Sequence, residues 1–337
     1  MRSAPLLEVN GLKKYFPLRK GVLGKAAGWV YAVDDISFSL DRGKTLGLVG
    51  ESGCGKSTTG RSVLRLIEPD AGEILFEGRE VLKMGQDELR PLRKDMQLVF
   101  QDPFASLNPR LSIGEIIAEG LIVHGVSNKT EREDLIEWVL SRVGIRPELK
   151  SRFPHEFSGG QRQRVGIARS LVLQPKLIVA DEPVSALDVS IQAQVMNLLV
   201  EIQEEFGLSY IVIAHDLAVV EYLSDHVAIM YLGKIVEHAS DRDIYTSPLH
   251  PYTQSLLGSI PFHPEREKTK KAPLQGEVPS PIAPPPGCHF HTRCPRRMEA
   301  CDQSPPAFLE VSPKHWVACH LYGEGGNSAN SPSPQRV

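Results

Sequence analysis

The chain has 337 residues, of which 41% are apolar and 23% charged, with a formal net charge of −3. That length fits one large domain with an appendage, or two domains, and the composition is that of a globular protein. The small net charge gives no case for nucleic acid or an anionic lipid surface, and no run of 18 apolar residues offers a membrane-crossing helix.

Glu8 and Lys13 interrupt the N-terminus before a signal-peptide core could form. The expectation is a chain made and kept in the cytosol, with any membrane role exercised through a partner. Residues 6–16 read as a strand and a turn. Residues 17–30, with Pro17, Arg19, Lys20 and Lys25, read as a loop inserted between two strands. Residues 32–40 alternate, with Ile36, Phe38 and Leu40 on one face of a strand. A buried strand is expected at 45–49, a helix from 57 to about 67, and short strands at 72–76 and 97–100. A proline-interrupted loop follows at 102–109. Helical spacing then fills about 112–124 and 130–143, and a further helix runs from about 159 to 173. Strands at 177–180 and 209–214 are uniformly apolar. Helices are expected at 189–206 and from 217, and a hairpin turns over Leu232-Gly233 between 227–231 and 234–237.

Uniformly apolar strands that alternate with helices predict an α/β fold with a parallel sheet covered on both faces. The helical stretch at about 102–160 reads as a subdomain inserted into that core. Residues 261–287 hold eight prolines and read as an extended linker, and the polar tail 326–337 reads as disordered.

Residues 50–58, Gly-Glu-Ser-Gly-Cys-Gly-Lys-Ser-Thr, fit G-x-x-x-x-G-K-[ST] between a predicted strand and a predicted helix. Glycines there let backbone N–H groups turn inward around phosphate oxygens at a helix N-terminus. Lys56 would reach β- and γ-phosphates and the Ser57 hydroxyl would ligate Mg²⁺. The strand at 177–180 ends in Asp181 and Glu182, two adjacent carboxylates. Asp181 would hold Mg²⁺ through water, and Glu182 would polarise an attacking water. Phe157-Ser158-Gly159-Gly160-Gln161 opens a helix with a second Gly-rich turn.

In this order the motifs resemble the ATP-binding subunit of ABC transporters over about residues 6–258. The resemblance implies a P-loop ABC ATPase domain at 1–258, with the helical subdomain inside it. It gives ATP contacts to Phe16, Ser52, Gly53, Cys54, Gly55, Lys56, Ser57 and Thr58, with Tyr15 and Tyr31 as the other candidates for stacking on adenine. It makes Glu182 catalytic, Gln101 the Mg²⁺-sensing glutamine that faces the membrane subunits, and His215 the contact to the γ-phosphate. Mg²⁺ falls to Ser57, Gln101 and Asp181. Ser158, Gly159, Gly160, Gln161 and Asp188 would touch ATP bound by an opposite subunit. The motifs at 101–103, 106–109, 188–194 and 248–253 look like those of oligopeptide/dipeptide importer ATPases, and of their second ATPase subunit more than the first. The partners so implied are a homologous ATPase in a heterodimer, two transmembrane permeases and an extracytoplasmic peptide-binding protein, with no nucleic acid. The place implied is the cytoplasmic face of the inner membrane. The same ATPase role in an importer of nickel or another small solute stays open, as does a soluble ABC ATPase.

Cys288, Cys294, Cys301 and Cys319 are separated by 5, 6 and 17 intervening residues within a C-terminal extension at 259–325. Four thiolates satisfy either a [4Fe–4S] cluster or tetrahedral Zn²⁺. Structural zinc prefers pairs two to four residues apart, which this chain lacks. The wider spacing looks like the cluster-binding extension of some peptide-importer ATPases. Zinc and free structural thiols remain the alternatives.

Overall fold

A computed structural model describes residues 4–20, 25–258 and 276–323. Strand β3, the third in the chain (Thr45–Val49), is buried along its whole length, and the fold is organised around it. Before it come β1 (Leu7–Lys20) and β2 (Lys25–Leu40), and after it α1 (Lys56–Val63), β4 (Ala71–Phe76) and β5 (Arg79–Glu80). Helix α2 (Gln86–Asp95) and strand β6 (Met96–Val99) lead into α3 (Pro103–Ser106), α4 (Ile113–Val123), α5 (Lys129–Arg142) and α6 (Gly159–Leu171). Then follow β7 (Leu177–Asp181), α7 (Val189–Phe206), β8 (Ser209–Ala214), α8 (Leu217–Leu223), β9 (His226–Tyr231) and β10 (Lys234–Ser240). The chain continues through α9 (Asp241–Thr246) and α10 (Pro251–Gly258) to α11 (Ala300–Gln303), β11 (Phe308–Ser312) and β12 (His315–Ala318).

Two sheets result. One is antiparallel, in the order β2-β1-β4-β5. The other has the order β11-β12-β10-β9-β3-β8-β7-β6. Strands β9, β3, β8, β7 and β6 of that sheet pair in parallel. Both faces of the parallel strands are buried, and the alternation of side chains divides the core. Ile211 and Ile213 of β8 and Val179 of β7 face the antiparallel sheet, among Leu7, Val9, Ile36 and Phe38. Tyr210, Val212, Ile178 and Ala180 face the helices, among Ile116, Val139, Val165 and Leu199. The predicted α/β architecture is therefore present.

Two local expectations need correction, and two elements carried no sequence expectation. Residues 17–20 and 25–30, expected in an inserted loop, belong to strands: β1 and β2 pair antiparallel, with Phe16 opposite Val30 and Pro17 opposite Trp29. Pairing of β1 with β4 ends at Lys13. Beyond that point β1 has a free edge, where proline removes no ladder bond. Helix α1 stops at Val63, since Arg65 takes a positive φ of 49°. Helix α2 escapes the periodicity reading because only Leu89 and Leu92 of its ten residues are buried. Finally, β12 pairs with β10 through Glu237 opposite Val317 and His238 opposite Trp316. The C-terminal extension is thus built onto the main sheet rather than hung beside it. The expected tail at 326–337, and part of the expected linker, lie outside the described residues.

Candidate functional site

Strand β3 delivers residues 50–58 to the carboxyl ends of the parallel strands, where an open α/β sheet presents its crevice. The loop's glycines are required by close approach. A Cβ at Gly50 would lie 2.2 Å from the Met230 carbonyl oxygen. A Cβ at Gly55, which has φ +107°, would lie 1.9 Å from that of Ala32. Gly55 then caps α1, so the helix begins at Lys56. Lys56 is buried, and its Nζ donates to the carbonyls of Gly50 at 2.7 Å and Glu51 at 3.1 Å. Cys54 is buried as well, and burial raises its thiol pKa, which keeps it protonated. Ser52 and Gly53 are exposed, and Thr58 is half-buried.

The two carboxylates at the end of β7 part company. Asp181 is 1% exposed. It accepts from the Ser57 hydroxyl at 2.7 Å and pairs with Arg61 at 3.4 Å. Glu182 turns with a φ of 47°, its N–H held by the Ile213 carbonyl at 2.9 Å. Its carboxylate accepts from Gln101 Nε2 at 2.8 Å and stands 3.4 Å from His215 Nδ1. Residues from four separate stretches, at 57, 101, 181–182 and 215, therefore meet in one place. Arg61 belongs to this group and was not marked by any sequence motif.

Ser158 caps α6 and Asp188 caps α7. Ser158 Oγ accepts from the Gln161 N–H at 3.3 Å, while Gln161 Oε1 accepts from the Ser158 N–H at 3.0 Å. Asp188 accepts from the Ile191 N–H at 3.0 Å and from Ser190 Oγ at 2.8 Å. The Ile191 N–H, with Ser190, lowers the Asp188 pKa. The two caps are neighbours: a Cβ at Gly160 would meet Ile191, and one at Gly159 would meet Leu187. Among the described residues, no hydrogen bond or ion pair joins Ser158, Gln161 or Asp188 to the phosphate loop of the same chain.

Of the three aromatic candidates, Tyr15 is tied down. Its hydroxyl donates to Asp34 at 2.6 Å, and its ring stands edge-on to Tyr31 at 4.8 Å. Phe16 is 37% exposed, with Lys14 Nζ 5.4 Å from its ring centre.

The four C-terminal cysteines are brought together by the fold. The Cys288 N–H donates to the Cys301 carbonyl at 2.8 Å. Burial pushes the Cys288 thiol up to about 11 and Cys319 to about 12, and the neighbouring thiols add to both shifts. Cys294 is raised by burial and by Cys301. Among the described residues, though, no three His, Cys, Asp or Glu side chains are grouped so as to hold a single metal ion.

The comparisons agree with this geometry. The ABC transporter family profile matches residues 33–185. A second, for the oligopeptide/dipeptide transporter C-terminal region, matches 236–301. The oligopeptide transport ATP-binding protein AppF of Bacillus subtilis (strain 168) is 54% identical, over 94% of this chain and 97% of its own length. Among solved structures, a dimeric ATP-binding cassette in a post-hydrolysis state with ADP and Pi has a TM-score of 0.62 and 27% identity, covering 70% of this chain and 99% of that one. CbiO1 of Clostridium perfringens, part of the cbiONQ ABC transporter complex, has a TM-score of 0.62 and 28% identity, covering 72% of this chain and 91% of that one. With the nucleotide loop, the paired carboxylates and the C-terminal region on one chain, this protein belongs to the ABC transporter ATPases, in the oligopeptide/dipeptide transporter family.

Proposed function

We propose that the chain hydrolyses ATP to drive import of oligopeptides or dipeptides, as one of two homologous ATPase subunits beneath two membrane permeases. An extracytoplasmic binding protein would select the solute. The observation that carries the peptide assignment is the match of residues 236–301, which begin within β10 of the main sheet, to the oligopeptide/dipeptide transporter C-terminal region. Among the described residues no helix is long and apolar enough to cross a membrane. As the ATPase subunit of a membrane transporter, the chain would lie at the cytoplasmic face of the inner membrane, held there by its permeases. Residues 1–258 form the nucleotide-binding part in this reading, with a helical subdomain at about 102–160.

Each side chain then has a task. Backbone N–H groups from Ser52 to Thr58 surround the phosphates, and Lys56 shifts from the loop carbonyls to the β- and γ-phosphates. Phe16, the candidate with an exposed ring, stacks on adenine. The donor set of Ser57, Asp181 and Gln101 fits Mg²⁺, which would neutralise charge between the β- and γ-phosphates. Glu182 polarises the attacking water, Gln101 orients Glu182, and His215 contacts the γ-phosphate. Ser158, Gly159, Gly160, Gln161 and Asp188 are left to complete the site of the opposite subunit. Two chains arranged head to tail satisfy that requirement. Tenfold or greater stimulation of peptide uptake and ATP turnover is expected when this chain, a homologous ATPase and the permeases are reconstituted with a peptide-loaded binding protein. Uptake of a nickel complex or sugar but no peptide would redirect the cargo assignment.

The four thiols carry a second part of the proposal. We rest this on four cysteines in one segment, the ligand count of a [4Fe–4S] cluster, with gaps of 5, 6 and 17 residues. Cys288, Cys294, Cys301 and Cys319 would be its ligands, and it would fasten the C-terminal segment. Protein purified without oxygen is expected to be brown and to hold about four irons per chain. Colourless protein without iron would reject the cluster.

A further inference from the structure

Glu51 is the single acidic residue in the loop 50–58. A carboxylate there opposes a polyphosphate by like-charge repulsion. The compensating charge comes from 242 residues away in sequence. Arg293 Nη1 donates to Glu51 Oε2 at 2.6 Å, and Nη2 donates to Oε1 at 3.0 Å. This is a two-point fork, the stronger form of a charge-assisted hydrogen bond. The Arg293 side chain is only 5% exposed. Its guanidinium carbon lies 5.9 Å from the Tyr231 ring centre, and its Nε is buried without a hydrogen-bond partner. Glu51 is therefore its chief anchor.

The main chain of Glu51 is held from the same side. Its N–H donates to the Tyr252 hydroxyl at 2.9 Å. Tyr231, Tyr252 and the fully buried Phe290 form one aromatic cluster, with ring centres 4.8, 5.2 and 5.3 Å apart. Arg293 ends the short turn His291–Arg293, which lies between Cys288 and Cys294 and is steadied by His291 Nδ1 against the Cys288 carbonyl at 2.8 Å. The C-terminal segment thus reaches the first turn of the phosphate loop with one well-placed cation.

We propose that Arg293 is a positioning residue for ATP, cancelling the Glu51 charge and fixing the start of the phosphate loop, so that the C-terminal segment sets part of the nucleotide affinity. The motivating observation is the two-point pair between a partly exposed loop carboxylate and a distant, buried arginine. The test measures MgATP affinity on the full-length chain, and kcat and KM in the assembled transporter. Arg293→Met is expected to raise Kd and KM about 10- to 100-fold, the range for losing a charge-assisted pair. At saturating ATP, kcat should stay within about 2-fold, because the reacting groups are untouched. Arg293→Lys should fall between, since it keeps the charge but not the fork. The combination Glu51→Gln with Arg293→Met should recover affinity to within about 3-fold, since the unpaired carboxylate is gone. A merely structural contact would not give that recovery. Glu51→Gln alone keeps an acceptor for Arg293 and should bind MgATP at least as tightly as the native chain. That variant remains informative if Arg293→Met does not fold. Native affinity in folded Arg293→Met, a double variant as weak as Arg293→Met, or a tenfold loss in Glu51→Gln alone would each overturn the proposal.

Discussion

Glu182→Gln is expected to lower ATP turnover about 100-fold or more, the usual cost of removing a general base, while MgATP binding changes little. The amide is nearly isosteric and can still accept from Gln101, which stands 2.8 Å from the carboxylate. It cannot take a proton or polarise water to the same degree. The backbone at this position is set by the Ile213 carbonyl and by a left-handed turn, so the substitution should not move β7. Asp181, bonded to Ser57 at 2.7 Å, would keep its part in metal binding. Steady-state hydrolysis and nucleotide binding, both measured on the assembled transporter, separate these effects. Native turnover in Glu182→Gln would move the general base elsewhere and reject the mechanism given above.

Glu237→Ala should cost about 3–5 kcal/mol of stability, as breaking a buried charged network does. Glu237 is fully buried on β10. Its two oxygens accept from the Leu249 N–H at 2.7 Å, the His250 N–H at 2.9 Å and His315 Nε2 at 2.8 Å. Alanine would strand two backbone donors and one imidazole in a site closed to solvent. The same change unties β12 from β10, because His315 begins β12. Urea denaturation should show the loss, and hydrogen exchange should show earlier opening at β12. Glu237→Gln keeps one acceptor oxygen and turns its NH2 toward the remaining donor, so it should lose less than alanine but still be destabilised. A loss below about 1 kcal/mol in Glu237→Ala would mean that the stranded groups find other partners.

What the sequence determined is what local chemistry carries. The spacing of Gly50, Gly55, Lys56 and Ser57 is covalent, and no distant residue is needed to recognise a loop that can surround phosphate. Asp181 and Glu182 announce themselves at the end of an apolar strand, and α7 and β8 begin and end where the capping and apolar patterns place them. The tertiary structure decided what depends on contacts between distant segments. The convergence of Gln101, Glu182 and His215 on one point follows from strand order, which no spacing encodes. Pro17 disguised a long strand pair as a loop, because a free strand edge accepts a proline that an inner edge would reject. The short strands β11 and β12 carry little hydrophobic pattern of their own and gain their place from pairing with β10. Arg293 looked like one more basic side chain. Its meaning comes from burial against Glu51, a long-range pairing of charges that only the folded chain creates.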